Sequence, residues 1–284
     1  MPNIKIVTDS TADIPAELAE QLGITVVPLN VIFSEAESYE DGVTLTADDF
    51  YKKVKASNTI PSTSQPTPYQ FEEVYRSLLN EGEGQIISIH LSSKMSGTYQ
   101  AATIAKQSMD EDEAILVIDS KRASYAIGIM VVEITKLVNN GHSLEQCQER
   151  LDALLHDTNV FFMVDTLEYL QKNGRIGKAS AVFGSMLKIK PILSLTEDGE
   201  VYPFEKARGQ KKAMNRIVEI LKEKYGSNPV HVGISHAVNE PLAKEMIERI
   251  KAEFDVKSDI ITSIGAVIGS HVGPGTVSIA MTKA

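Results

Sequence analysis

The sequence predicts an α/β protein. It would comprise an N-terminal three-layer α/β/α unit on a parallel sheet (residues 1–160) and a C-terminal two-layer α/β unit on a mixed sheet (residues 161–284). Three observations carry this expectation. Short apolar runs alternate with helical segments through the first half, the pattern of parallel strands joined by crossover helices. The pattern changes after about Asn159, where Glu197-Asp198-Gly199 separates two apolar runs and Asp-Gly signals a hairpin. A chain of 284 residues also exceeds what one core usually organises. No linker-like tract or internal repeat marks the boundary, so it admits exchange of a segment between the two units.

Each element has a local reason. Ile4–Val7 reads as a buried strand ending in Thr8-Asp9-Ser10-Thr11, and a helix follows with Asp13 near its start, Pro15 in its first turn and Gly23 just past its end. Residues 24–33 form a strand-rich apolar run, and Thr46 caps a short helix through Val54. Thr67-Pro68-Tyr69-Gln70 is a capping box with proline at the first helical position, opening a helix to about Leu79. Strands follow at 85–91 and 115–119, with a helix opening at Ser96-Gly97 between them. A long helix from Ser124 is stopped by Gly141, and Ser143 with Gln146 forms a second capping box. Later strands are expected at 160–164, 192–196, 200–204, 230–235, 260–264 and 276–281, with helices near 209–224 and 240–254.

Composition narrows the function. The 43% hydrophobic content suits a soluble globular protein with a sizeable core. A formal net charge of -10 argues against a nucleic-acid binder. The single cysteine, Cys147, excludes an internal disulfide and reads as a plain helix residue. The first residues enter a strand without a basic segment and long apolar run, so no signal peptide is expected, nor does any apolar run approach bilayer length. A cytoplasmic location is the expectation.

Three polar segments stand out: Thr63-Ser64-Gln65-Pro66, Leu91-Ser92-Ser93-Lys94-Met95-Ser96-Gly97-Thr98, and His271-Val272-Gly273-Pro274-Gly275-Thr276. None carries an acid, so together they suit an anion or carboxylate held by hydroxyls and backbone N–H groups. Ser96 would sit at or beside a helix N-cap, where its hydroxyl serves its own helix N–H as readily as a ligand oxygen. Gly97 permits close approach to the backbone. Thr63-Ser64-Gln65-Pro66 equally suits a turn bonded to itself. The His271 imidazole is able to donate to a carboxylate or phosphate, though a lone histidine also has structural uses. A Ser96–His271–Asp9 triad is a further arrangement that spacing neither supports nor excludes. Asp9 and Asp119 end strands and suit loop capping as well as acid–base work, and His231 and His236 read as ordinary histidines. A phosphate loop, a His-Glu-x-x-His motif and a Gly-x-Ser-x-Gly elbow are all lacking, so nucleotide hydrolysis, a metal and the usual serine hydrolase are unsupported.

As a set, these segments resemble the DegV family, the fatty-acid-binding proteins also called FakB in the bacterial fatty acid kinase system. The resemblance runs nearly end to end. It includes Val7-Thr8-Asp9-Ser10-Thr11-Ala12-Asp13, the three polar segments, Gly174-Arg175-Ile176 and Lys206-Ala207-Arg208-Gly209. Met95 stands where the family often has leucine and Thr67 where a serine often follows the proline, both mild departures. The resemblance implies a non-enzymatic lipid-binding carrier, active in lipid transport and fatty acid metabolism. A long-chain fatty acid such as palmitate would lie between its domains, and no cofactor is implied. Thr63 and Ser96, with Gly97 and His271, would hold the carboxylate. Arg208, and less directly Arg175, would face a partner fatty acid kinase. Lipid exchange would add peripheral membrane contact, with no nucleic acid involved. Apolar side chains at Phe161, Phe162, Met163, Phe183, Met186, Leu187, Ile189 and Ile192 suit either a tunnel wall or plain core. The reading of a different class is an enzyme, either a serine-dependent acyl hydrolase or a kinase-like phosphoryl transferase using Ser96 and His271.

Overall fold

The computed structural model describes residues 3–57, 59–79, 84–109, 114–185 and 190–284, with the side chains of 183, 185 and 190 excepted. The elements in chain order begin with β1 (Ile4–Asp9), a 3₁₀ turn at Ser10–Ala12, α1 (Ala16–Leu22), β2 (Ile24–Val27), β3 (Asn30–Ser34), β4 (Glu37–Glu40), α2 (Ala47–Ser57) and β5 (Ser62–Ser64). They continue with α3 (Pro68–Leu79), β6 (Gln85–His90), α4 (Thr98–Gln107), β7 (Ile115–Asp119), α5 (Tyr125–Asn139) and α6 (Leu144–Asp157). The remainder is β8 (Asn159–Met163), α7 (Glu168–Lys172), a 3₁₀ stretch at Gly177–Ser185, β9 (Lys190–Leu195), β10 (Val201–Ala207), α8 (Gln210–Tyr225), β11 (Val230–His236), α9 (Glu240–Glu253), β12 (Val256–Ser263), α10 (Ala266–Val272) and β13 (Val277–Lys283).

Two large sheets result, as expected. The first is parallel, in the order β2-β1-β6-β7, and the second is mixed, in the order β10-β9-β8-β13-β11-β12. In the second sheet only β11 and β12 run parallel; every other neighbour pair is antiparallel. Side chains alternate across each strand, so one strand serves two cores. Ile87 and Ile89 of β6 face the central core, while Ile86 joins Val7, Phe71 and Tyr75 beneath α3 and α4. On β8 and β13, Phe161, Met163, Val277, Ile279 and Met281 pack under α8 and α9. Val160, Phe162 and Ala280 point to the opposite face and join the central core. That core is shared between the two large sheets, and α5 touches strands of both, among them β1, β6, β11 and β13.

The predicted caps are present. Thr67 and Gln70 exchange hydrogen bonds at the start of α3, and Ser143 and Gln146 do so at α6. Gly23 and Gly141 take the positive φ expected past helix ends. Cys147 is fully buried on α6.

Four features depart from the sequence expectation. The 24–33 run breaks at Pro28-Leu29 into β2 and β3, and β3 joins a small antiparallel sheet, β4-β3-β5. Thr63-Ser64 therefore lies in a short edge strand, with Thr63 opposite Val31. Asp13 does not open a helix; it follows the 3₁₀ turn with φ 51 and is buried. His271 is not in a loop but in the last turn of α10. Helix α10 has only seven residues, too few for a hydrophobic period to announce it.

Candidate functional site

The polar segments converge because α10 lies against β3 and β5, with α7 on its flank. Thr63 Oγ1 is 2.9 Å from His271 Nε2, a contact across 208 residues of sequence. The next residue but one on that segment, Gln65, lies over the Gly97 backbone. A Cβ at position 97 would fall 2.3 Å from Gln65 Oε1. Gly97 therefore admits a neighbouring side chain, and it is not among the residues lining the cavity described below. Ser96 precedes it, its hydroxyl 2.9 Å from Thr98 Oγ1 and accepting from the Thr98 N–H at 3.3 Å at the start of α4. Both the helix-capping use and exposure to the cavity thus hold for Ser96.

Arg175 completes the polar end. Helix α7 stops in a Schellman turn: Arg175 N–H donates to Leu170 O at 2.9 Å, Gly174 N–H donates to Gln171 O at 3.1 Å, and Gly174 has φ 69. This turn carries the exposed guanidinium to the Met95 carbonyl, which accepts from Nε at 3.0 Å, one residue from Ser96.

Behind these groups lies a cavity of about 240 Å³. Thr63, Gln65, Ser96, Arg175 and His271 line it together with a largely apolar wall that includes Leu29, Val160, Phe162, Leu195, Val201, Ile264, Val267 and Ile268. The wall comes from the cavity-facing side of β8, β9 and β10 on one hand and from α10 on the other. Of the apolar residues named from sequence, Phe162 lines the cavity, whereas Phe161, Met163 and Ile192 pack in the α8–α9 core. The Phe183 side chain and Met186, Leu187 and Ile189 lie outside the described residues.

The electrostatics favour a neutral imidazole. Burial pushes His271 down to about 4, and the nearby Arg175 charge adds to the effect. Its Nδ1 is buried with no partner among the described residues. At neutral pH the site thus presents hydroxyls, an imidazole N–H and the Arg175 guanidinium, a set suited to a carboxylate.

Three residues that the sequence did not single out for the site support the elements around it. Asp41 caps α10, accepting from Ala266 N–H at 2.9 Å and Val267 N–H at 3.3 Å. Asp13 accepts from Gly265 N–H at 2.8 Å and from the Ser124 hydroxyl. Burial raises both carboxyls, Asp41 to about 6. Asn173 donates its side-chain amide to Pro61 O and Ser270 O. An Asn-Gly pair signals a turn, but nothing in the sequence links Asp13 or Asp41 to a helix more than 200 residues away.

The imagined Ser96–His271–Asp9 triad is absent. The Asp9 carboxylate accepts from Thr11 N–H at 3.0 Å, from the Thr11 hydroxyl and from Leu91 N–H at 3.1 Å, and pairs with His90 Nδ1 at 3.0 Å. Among the described residues, no hydrogen bond joins Ser96 to His271. An Asp9–His90–Ser88 chain does exist, extended to Tyr75, but all four residues are fully buried, so it serves the core. Asp119 caps the Ser93 loop, accepting from Ser93 and Lys121 N–H groups. His231 contacts Ser258 and Glu133, and His236 accepts from the Asn239 N–H. Arg208 lies apart from the cavity, exposed in a surface hollow of mixed charge with Lys206, Lys212, and Arg216 paired to Glu205 and Glu219.

The family model described as "Uncharacterised protein, DegV family" matches residues 3–284. A DegV domain-containing protein of Halalkalibacterium halodurans is 40% identical over 280 residues, covering 98% of each chain. The chain belongs to the DegV family. A solved DegV family structure from Thermus thermophilus, described by its fatty acid binding, superposes with a TM-score of 0.92 at 36% identity, over 99% of this chain and 100% of that one. A stearic-acid-binding protein of Eubacterium ventriosum superposes with a TM-score of 0.90 at 29% identity, over 99% and 98% of the respective chains. No described helix is long and apolar enough to cross a membrane.

Proposed function

We propose that this protein binds one long-chain fatty acid, such as palmitate, between units formed by residues 1–160 and 161–284, and acts as a carrier without turnover of its own. The observation that carries this reading is one cavity with an apolar wall and a cluster of Thr63, Ser96, Arg175 and His271 at its polar end. Burying the tail contributes about 0.8 kcal/mol per CH₂, so affinity comes from the wall. The polar cluster then orients the carboxylate, with Thr63, Ser96, His271 and the Arg175 guanidinium as its donors. The solved relatives described as fatty acid binding support the ligand class.

The carrier would act in lipid transport in the cytoplasm, exchanging its ligand at membrane surfaces and presenting the carboxylate to a partner fatty acid kinase. The exposed cations Lys206, Arg208 and Lys212 offer that partner a charged surface away from the cavity. Arg208 stands seven residues along from the cavity residue Val201, roughly 20 Å for an extended strand.

Mass spectrometry of organic extracts of the purified protein is expected to find a long-chain fatty acid in near one-to-one amount. Lipid-free extracts, together with failure to bind added palmitate, would refute the assignment.

A further inference from the structure

Three members of the polar cluster, Thr63, His271 and Arg175, are tied to one residue outside it. Thr63 follows Pro61 into β5, His271 follows Ser270 in α10, and Arg175 follows Asn173 in the turn after α7. Asn173 reaches all three segments. Its Nδ2 donates to Pro61 O at 3.1 Å and to Ser270 O at 2.7 Å, and its main-chain carbonyl accepts from Arg175 Nη1 at 2.6 Å. The amide orientation follows from its partners. Both are carbonyls, so only the NH₂ group, with two protons, satisfies both.

We propose that Asn173 is the positioning residue of the carboxylate site, setting the spacing of Thr63, His271 and Arg175 without touching the ligand. The inference rests on the head-group reading above. Thr63 sits on a three-residue edge strand and His271 on a seven-residue helix. Elements this short have little rigidity of their own, since a helix of this length is marginal in isolation. A side chain bonded to both backbones, one residue from His271 and two from Thr63, fixes the two elements against each other. Arg175 is held to the same post through the Asn173 carbonyl. A site of converging donors loses strength when its members drift by about an ångström.

The test is the ratio of affinities for palmitate and hexadecan-1-ol, which share a tail and differ in the charged head. It is measured on wild type, Asn173→Asp, Asn173→Ala and Thr63→Val, with thermal unfolding of each. Asn173→Asp keeps the shape but sets acceptor against acceptor at Pro61 O and Ser270 O. It is expected to weaken palmitate binding roughly 10-fold or more while changing hexadecanol binding less than about 3-fold. Asn173→Ala should lie between Asn173→Asp and wild type, and it supplies the measurement if the aspartate variant does not fold. A wild-type ratio in both Asn173 variants, with a reduced ratio in Thr63→Val, would overturn the positioning role alone. A wild-type ratio in all three would overturn the head-group assignment itself.

Discussion

Thr63→Val is the sharpest probe of the head-group site. Valine keeps the β-branched shape that suits β5 and removes only the hydroxyl. In the empty protein the change leaves His271 Nε2 without the partner now 2.9 Å away, while Nδ1 already has none among the described residues. An unsatisfied buried polar group costs about 1–3 kcal/mol, so the apo protein should lose stability on that scale. In the complex, one hydrogen bond to a carboxylate disappears, worth about 1.5–3 kcal/mol, or roughly a 10- to 150-fold rise in Kd. Binding should nonetheless persist. The tail of palmitate, with about fourteen methylenes, contributes about 11 kcal/mol of transfer free energy before the cost of association. The assay is displacement of a fluorescent fatty acid by palmitate, alongside urea denaturation of the apo protein. A palmitate Kd within twofold of wild type would refute the claim that Thr63 grips the head.

Three other perturbations follow from the same geometry. Gly97→Ala should cost about 1 kcal/mol, because the new Cβ meets the flexible end of Gln65, and Gln65→Ala in the same chain should restore stability in urea titrations. Val160→Phe fills part of the cavity wall and should shift bound acids toward shorter chains, read by native mass spectrometry; an unchanged length distribution would remove Val160 from the tail path. His271, held near 4 against an ordinary 6.5, stays neutral where the unfolded chain takes up a proton, so its stabilisation is complete above pH 6.5 and is lost by about 3 kcal/mol as pH falls toward 4. Asp41, raised from 3.8 to about 6, runs the opposite way: its contribution is complete below pH 3.8 and is lost as pH rises through 6. Relative to wild type, His271→Gln should therefore gain stability on acidification and Asp41→Asn should lose it; parallel pH–stability curves for all three would refute both assignments.

The elements with strong local codes were legible. Thr67-Pro68 with Gln70, Ser143 with Gln146, and the glycines at 23 and 141 mark helix ends through interactions within a few residues. The Asp198-Gly199 turn likewise announced the β9–β10 hairpin. What stayed hidden depends on distant partners. Helix α10 is seven residues long and almost wholly buried, so it shows no polar face, and its cap is the carboxylate of Asp41. The edge strand β5 is polar and, among the described residues, pairs only with β3. At the site, the acid-free polar segments were legible as candidates with Ser96 and His271 in them, and the DegV resemblance singled out Thr63. Asn173 was invisible because its amide serves two backbone carbonyls, and no side-chain pattern records those. Gly97 was read as leaving space for a ligand; the space belongs to Gln65.

The placement of His271 poses an electrostatic problem that the fold answers. The last turn of a helix leaves carbonyls without partners and carries partial negative charge, which opposes a carboxylate nearby. In α10 three of these carbonyls are engaged. Gly269 O accepts from Gly273 N–H at 2.9 Å, Ser270 O from Asn173 at 2.7 Å, and Val272 O from the Thr276 hydroxyl at 3.0 Å, which also reaches Gly273 O. The carboxyl groups of Asp13 and Asp41 meet the opposite end of the helix, about 9 Å away for a run of six residues, where they accept from N–H groups. Arg175 then adds a cation beside the imidazole, exposed at the cavity lining rather than buried within it. A fully buried cation would grip a carboxylate harder but would stand unpaired in the empty protein, at high desolvation cost. Neutral donors with one solvated guanidinium avoid that cost, and they leave affinity to the tail. For the proposed reversible binding this division is apt, because the donors Thr63, Ser96 and Arg175 already have partners in the empty protein.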